Sequence, residues 1–336
     1  MMHETRKITY GLLRFLTALI LAFAYTDTLA QAGRNPILTG ADPHAIIISS
    51  EYWIYPTHSA DTGKHRAPDR FLGYASKDLV NWEKKGELIQ IDEISWIKDD
   101  GAERHYLWAP AMATKNGKYY LYYSVGPQNP TPSRIGVAVS DYPSHGFKDI
   151  GRPLITGGNG FEAIDPMVYS DSKSGETYLY AGGSAGSTLR VYKLKPNMIE
   201  VDREIKVEQP PKFTEGAFMH QRKGIYYLSY SHGSWNNSSY SVHYATSKTP
   251  VGPWQYRGPI LVSDSTRKGP GHHSFVNPAK RKWFIVYHRW EQLGEGPYRG
   301  SRKTAVERIS YTKDGAIVPI KMSDTIKRKV RVKKSR

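Results

Sequence analysis

A strand rich in tyrosine and tryptophan recurs five times along the chain, roughly every 50–65 residues. The five copies occupy residues 51–55, 118–124, 176–180, 225–230 and 282–287. A further strand follows each copy, at residues 71–75, 135–139, 189–192, 241–245 and 305–309. No amphipathic helix of three turns is apparent after residue 32, and a strand unit repeated at this spacing is typical of radial repetition. The sequence therefore predicts an all-β fold, a five-bladed β-propeller in a single domain.

A short segment of different character stands before each aromatic strand. Its most distinctive residues, in chain order, are Asp42, Trp108, Asp165, Glu215 and His272. Their separations are 66, 57, 50 and 57 residues, so they keep step with the repeat. Since equivalent positions on the innermost strands of a propeller face its central channel, we expect these five side chains to converge at one end of that channel.

Three carboxylates in one channel indicate acid–base chemistry. Charges of one sign that lie close together and partly buried push at least one pKa upward, whereas another carboxylate can stay ionised. Cleavage of a glycosidic bond needs such a pair, one acid to protonate the leaving oxygen and one base to activate water. For a single Asp-Pro or Glu-Gly pair, an ordinary turn is an equally good interpretation. Three such pairs at equivalent places favour a glycosidase site, with Trp108, Trp53 and Phe218 as candidate aromatic contacts for the sugar.

The motifs around these residues resemble those of glycoside hydrolase family 43, five-bladed propeller enzymes that act on arabinose- and xylose-containing polysaccharides. The matching motifs are Ala41-Asp42-Pro43, Trp108-Ala109-Pro110, Ile164-Asp165-Pro166, Glu215-Gly216, Gly271-His272 and Tyr287-His288-Arg289. The resemblance implies that Asp42 is the general base, that Glu215 is the general acid and that Asp165 raises the pKa of the acid. It also implies a single displacement with inversion at the anomeric carbon.

The resemblance extends to the floor of the channel. It implies that His272 lies under the substrate, where some members of the family hold calcium or another ion, directly or through water. No cofactor is required for the reaction that it implies. His273 is expected to point outward, and Arg289 is expected to bond to Asp165 or to a sugar hydroxyl.

The N-terminal residues have the three parts of an export signal. Arg6, Lys7 and Arg14 precede an apolar run at residues 15–25, and Ala30-Gln31-Ala32 offers small residues for cleavage before Gly33. The run is short for a membrane span, so an uncleaved anchor is the weaker alternative. We therefore expect a signal peptide at residues 1–32, a propeller at 33–325, a basic tail at 326–336, and a periplasmic or extracellular location.

Charge and composition limit the other function classes. The formal net charge is +16, and seven basic residues lie within the last 11 positions. This tail could meet anionic polysaccharide, lipopolysaccharide or nucleic acid, or could simply be solvated. No nucleic-acid-binding motif accompanies it, so no nucleic-acid partner is expected. The absence of cysteine excludes thiol catalysis and thiolate zinc sites.

Three functions remain open at this level. The first is an exo-acting α-L-arabinofuranosidase or β-xylosidase that works on oligo- or polysaccharides. The second keeps the fold and chemistry but acts on another sugar, such as a β-1,3-linked galactoside, or cuts within a chain. The third is a carbohydrate-binding propeller without catalysis, against which the three carboxylates argue. The sequence does not indicate an oligomeric state.

Overall fold

The described strands form six sheets, five of which are arranged as the blades of a β-propeller. The computed structural model describes residues 33–58, 68–279 and 282–326. The predicted signal peptide, and the predicted tail beyond Ile326, lie outside these residues. The predicted all-β, five-bladed, single-domain fold is confirmed.

Four antiparallel strands make up a typical blade. The described part of the chain begins with β1 (Gly33–Arg34) and β2 (Leu38–Thr39). Blade 1 contains β3 (Ala41–Ile48), β4 (Glu51–Thr57), β5 (Arg70–Ser76) and β6 (Glu83–Gln90). Blade 2 contains β7 (Tyr106–Lys115), β8 (Lys118–Gly126), β9 (Arg134–Ser140) and β10 (Lys148–Asp149), with β11 (Ile155–Thr156) also paired to β9. Two 3₁₀ helices between these blades cover Ile91–Glu93 and Ile97–Asp100.

The remaining blades repeat the same order. Blade 3 contains β12 (Met167–Ser170), β13 (Thr177–Ala181), β14 (Arg190–Leu194) and β15 (Val201–Ile205). Blade 4 contains β16 (Glu215–Arg222), β17 (Ile225–His232), β18 (Ser241–Ser247) and β19 (Gln255–Leu261). Blade 5 contains β20 (Lys268–Ala279), β21 (Lys282–Trp290) and β22 (Lys303–Ile309), and β23 (Thr325–Ile326) follows. No helix in the part of the chain that the structure describes is long and apolar enough to cross a membrane.

The repeated aromatic strands are the second strands of the blades, each sandwiched between two neighbouring blades. In β4, for example, Tyr52, Ile54 and Tyr55 are almost completely buried. Tyr55 packs in the cluster between blades 1 and 2, and Ile54 packs in the cluster between blades 5 and 1. Because both faces of the strand are covered, its sequence is a continuous apolar run and not an alternation. The hydrophobic core of this propeller therefore lies between the blades.

The first residues of the described chain close the propeller. Strand β2 pairs with β22, with Leu38 opposite Thr304, so an N-terminal segment supplies the fourth strand of blade 5. Nearby, the Asn35 side chain donates to the Val306 carbonyl and accepts from the Val306 N–H, both at 3.0 Å. Strand β1 pairs in turn with β23. The two ends of the propeller are thus joined by backbone pairing.

Arg289 belongs to this closure and not to the channel. Its guanidinium is fully buried and donates to the carbonyl of Ser323 at 2.9 Å and to that of Asn35 at 3.2 Å. It also donates to the carboxylate of Glu291 at 2.7 Å. The expectation that Arg289 bonds to Asp165 or to a sugar hydroxyl is therefore wrong. A fork of five donors suits a site where several carbonyls from distant segments meet.

Candidate active site

The structure brings the three predicted carboxylates together at one end of the channel. Asp42, Asp165 and Glu215 expose only 6%, 6% and 7% of their surface. The imidazole of His272 joins two of them, since its Nδ1 lies 3.5 Å from Asp42 Oδ1 and 3.4 Å from Asp165 Oδ2. Asp165 Oδ2 also accepts a hydrogen bond from the N–H of Gly216, the residue after Glu215, at 3.1 Å.

Positive and polar partners hold Asp42 in its ionised form. Arg302 Nη1 donates to Asp42 Oδ1 at 2.9 Å, and the Thr57 hydroxyl donates to Asp42 Oδ2 at 2.7 Å. Burial alone would raise the pKa of this carboxyl, but the charge of Arg302 and the neighbouring imidazoles of His272 and His288 outweigh burial. The pKa of Asp42 therefore lies well below its usual range. Such a carboxylate is ionised at neutral pH and is therefore available as a base.

Asp165 and Glu215 have the opposite environment. Burial raises the pKa of Asp165 well above its usual range, and the charges of Glu215 and Asp42 raise it further. Burial likewise raises the pKa of Glu215 to about 7, although the Tyr240 hydroxyl, which donates to Glu215 Oε1 at 2.7 Å, opposes this. Neither carboxyl has a described cation comparable with Arg302 within hydrogen-bond distance. The pair therefore retains a proton near neutral pH, at a pH where Asp42 is fully ionised.

The two adjacent histidines point in different directions. Burial lowers the pKa of His272, and the nearby charge of Asp42 opposes this shift. His273 turns away from the carboxylates, and it is buried between blades 4 and 5 where an outward-pointing side chain was expected. Its Nε2 lies 2.7 Å from the Ser229 hydroxyl, and its ring lies 5.1 Å from that of Phe275.

A metal site around His272 is not supported by the donor set. Among residues 33–58, 68–279 and 282–326, no group of three or more His, Asp or Glu side chains is arranged to hold a metal ion. Both carboxylates next to His272 already bind protein donors, Asp42 through Arg302 and Asp165 through Gly216. The described residues around His272 therefore do not fit calcium or another metal ion.

The three aromatic residues predicted to contact the sugar lie in different environments. Trp108 is half-buried and stacks on Tyr106, with their ring centroids 5.6 Å apart. Trp53 is buried between blades 1 and 2, stacked on Tyr55. Phe218 is buried in the cluster of blades 3 to 5. The structure therefore corrects the assignment of Trp53 and Phe218 to substrate, because both are packing residues, and leaves Trp108 as the candidate sugar contact.

The register of the innermost strands also corrects the expected equivalence of the five positions. The backbone of Asp42, Ala109, Asp165, Gly216 and His272 is left-handed, with φ between 38° and 62°. In blades 1, 2, 4 and 5 the pairing with the second strand shifts at this residue, as in a β-bulge. Trp108 and Glu215 therefore stand one residue before the position that Asp42, Asp165 and His272 share. The five predicted residues therefore occupy two successive positions of the innermost strands, where the sequence suggested one.

Several functional residues had no motif of their own. Arg302 follows the last motif and reaches Asp42 from 260 positions away, and Tyr240 lies in the loop after β17. Glu162 is a further buried carboxyl near the site, which accepts from the Ala185 N–H at 2.6 Å, and its charge contributes to the raised pKa of both Asp165 and Glu215. Of these three residues, Glu162 alone lies close to a recognised sequence motif, three positions before the Asp165-Pro166 pair.

Comparison with known proteins gives a consistent result. A family model described as Glycosyl hydrolases family 43 matches residues 33–317. The chain is 33% identical over 317 residues to a beta-D-galactofuranosidase of Aspergillus niger, a match that covers 89% of this chain and 88% of the relative. It is 30% identical over 337 residues to a xylosidase/arabinosidase of Bacteroides ovatus, with 84% and 95% covered.

The chain is also similar to solved structures of glycoside hydrolases. A beta-xylosidase/alpha-arabinofuranosidase from a compost microbial metagenome, in complex with xylotriose and in a calcium-free form, has a TM-score of 0.70 and 27% identity. That match covers 86% of this chain and 98% of the solved one. A thermostable family-43 glycoside hydrolase gives a TM-score of 0.71 at 27% identity, with 90% and 100% covered.

The contact between Arg302 and Asp42 predicts a pH effect. Replacing Arg302 by Met removes the cation that lowers the pKa of Asp42, so this pKa should rise. The acidic limb of the pH profile of kcat/KM should then move to higher pH, because Asp42 is protonated earlier as the pH falls. The matched control is Arg203→Met on the outer strand β15, which should leave the limb in place. An unmoved limb in Arg302→Met would contradict the ionised role of Asp42.

Proposed function

This chain belongs to glycosyl hydrolases family 43, and we propose that it is an exo-acting enzyme that releases terminal arabinofuranosyl or xylosyl units from oligo- or polysaccharides. Its reaction is the hydrolysis of O-glycosyl bonds with inversion at the anomeric carbon. The choice of sugar is supported by the xylosidase/arabinosidase of Bacteroides ovatus and by the solved beta-xylosidase/alpha-arabinofuranosidase. A binding protein without catalysis is not supported, since these relatives are hydrolases.

The opposed pKa shifts of the carboxyl groups are the observation that supports hydrolysis by an acid and a base. Asp42 has a pKa well below its usual range, whereas the pKa of Glu215 is raised to about 7. At a pH between these values Asp42 is a base and Glu215 can still be an acid. An inverting glycosidase needs both forms at the same time.

The roles follow from these protonation states. Asp42 accepts a proton from the water that attacks the anomeric carbon, while Glu215 gives its proton to the departing sugar oxygen. Asp165 is held beside the acid by the N–H of Gly216, and its charge disfavours ionisation of Glu215, because the interaction that raises the pKa of Asp165 is mutual. The bond to the leaving group breaks as the bond to water forms, so the released sugar has the inverted configuration.

A second candidate substrate is a terminal β-D-galactofuranoside. The Aspergillus niger relative, at 33% identity, is a beta-D-galactofuranosidase. The furanose rings of β-D-galactofuranose and α-L-arabinofuranose have the same configuration and differ in the substituent on the fourth carbon. A site that accepts one ring can therefore accept the other, if there is space for that substituent.

Initial rates on nitrophenyl glycosides distinguish the candidates. The panel contains α-L-arabinofuranoside, β-D-xylopyranoside and β-D-galactofuranoside, together with a β-D-galactopyranoside as a control. The highest kcat/KM should belong to one of the two pentosides. A preference for the galactofuranoside would favour the second candidate, and hydrolysis of internal bonds in a long arabinan or xylan with little monosaccharide released would contradict exo action.

Variants of Glu215 and Asp42 should respond differently to the leaving group. Glu215→Ala should lower kcat by on the order of 10²–10⁴-fold on substrates with poor leaving groups, but far less on dinitrophenyl glycosides. The dinitrophenolate leaving group of these substrates departs without a proton. Asp42→Ala is the matched control, and it should be impaired on all leaving groups, because water attack always needs the base. Equal impairment of Glu215→Ala across a leaving-group series would show that Glu215 is not the acid.

We also propose that the protein is exported. The support is the sequence of residues 1–32, with basic residues before the apolar run at 15–25 and small residues at Ala30 and Ala32. When the full chain is expressed with its own N-terminus in a Gram-negative host, the periplasmic or secreted protein should begin at Gly33 by mass spectrometry. An intact Met1 on membrane-bound protein would instead identify the segment as an anchor.

A further inference from the structure

In or just before the innermost strand of each blade, one backbone N–H is not paired within that blade. At this place in each blade a residue adopts a left-handed conformation, and its N–H bonds to an acceptor outside its own blade. These five residues are Asp42, Ala109, Asp165, Gly216 and His272. A buried backbone N–H needs an acceptor, so each must be bound by something outside its blade.

In four of the five cases the acceptor is a side chain on the second strand of the preceding blade. These pairs, from acceptor to N–H, are Thr57 Oγ1 to Ala109 at 2.8 Å, Ser124 Oγ to Asp165 at 2.9 Å, Ser231 Oγ to His272 at 2.8 Å, and His288 Nδ1 to Asp42 at 3.1 Å. The four acceptors occupy one register position. Each stands opposite the residue just before the bulge of its own blade, namely Ala41, Trp108, Glu215 and Gly271.

Blade 3 has no side chain at this register position. The equivalent residue is Gly182, whose N–H donates to the carbonyl of Ile164 at 3.0 Å. Its φ is +149°, and a Cβ there would lie 2.0 Å from the carbonyl oxygen of Thr188. No larger residue fits without moving the backbone. The N–H of Gly216 on blade 4 therefore lacks the usual acceptor, and it is the carboxylate of Asp165 that accepts its hydrogen bond, at 3.1 Å.

We propose that these five hydrogen bonds form a closed ring, with one bond at each junction between blades, and that the Asp165 carboxylate completes the ring where Gly182 leaves a gap. Asp165 thus has a structural task in addition to any electrostatic one. It fixes the backbone next to Glu215, and its own N–H is fixed by Ser124.

Thr57 links the ring to the base. Its hydroxyl accepts from the Ala109 N–H and donates to Asp42 Oδ2, so one side chain joins the junction of blades 1 and 2 to the Asp42 carboxylate. Thr57 is therefore a positioning residue for Asp42. This step rests on the proposed function, whereas the ring itself does not.

Amide hydrogen exchange of the full-length protein tests the ring at blade 3. In Asp165→Leu no acceptor remains for the Gly216 N–H, so this amide should exchange about tenfold faster or more than in the wild type. Asp165→Asn keeps an oxygen and should retain the protection. Ser231→Ala is the matched control, and it should accelerate exchange at His272 and not at Gly216.

Equal protection of the Gly216 amide in Asp165→Leu, Asp165→Asn and the wild type would overturn the ring. Should Asp165→Leu fail to fold, Asp165→Ala also lacks an acceptor and replaces it in the comparison. None of these measurements depends on activity, so their failure is distinguishable from failure of the proposed function.

The positioning role of Thr57 is tested by kinetics on the best substrate of the nitrophenyl panel. Thr57→Val has nearly the same shape but no hydroxyl, and its kcat should fall by at least about tenfold with little change in KM, because Asp42 loses its orientation. Thr57→Ser restores the hydroxyl and should recover most of kcat. An unchanged kcat in Thr57→Val, or an equal loss in both variants, would overturn the positioning role. Absence of hydrolysis by the wild type would instead contradict the proposed function.

Discussion

The burial of three carboxylates in one channel is the constraint on which the rest of the site depends. Removing such groups from water is costly unless each finds an opposite charge, hydrogen-bond donors or a proton. Asp42 obtains Arg302 and the hydroxyl of Thr57, and it stays ionised. Among the described residues, Asp165 accepts from the N–H of Gly216 and Glu215 accepts from the hydroxyl of Tyr240, both neutral donors, so a proton is retained by the pair. The placement of one arginine therefore separates the base from the acid.

The fold provides this environment by repeating one irregularity. A residue with left-handed backbone occurs at the same place in each blade, and in blades 1, 2, 4 and 5 it lies at a β-bulge. Non-glycine residues pay a conformational cost there, and such strain persists only where the surrounding structure holds it. As a result, the left-handed residue and the residue just before it can both present their side chains to the channel. Asp165 from blade 3 and Glu215 from blade 4 are brought together in this way, although they stand at successive and not equivalent positions.

Rigidity of the channel comes from the junctions between blades. Tyrosine-rich second strands fill the space between neighbouring sheets, and β2 completes blade 5 so that no junction is left open. Arg289 and Asn35 tie the two ends of the propeller through buried hydrogen bonds. The carboxylates are thereby attached to strands that pack on both faces. This is the arrangement that a catalytic geometry needs, because small displacements of the reacting groups are costly.

The sequence by itself determined the blade count, the strand positions and the three carboxylates. These are carried by a periodic pattern of aromatic strands and by short motifs, which can be recognised along the chain without knowing what touches what. Only the tertiary structure decided that Arg302, 260 positions from Asp42, is its partner. It also decided that Arg289, Trp53 and Phe218 are buried structural residues, and that Trp108 and Glu215 lie one residue out of step with Asp42. The physical reason is that a bulge shifts register by a single residue, and a contact between distant segments forms only when the ring of blades closes.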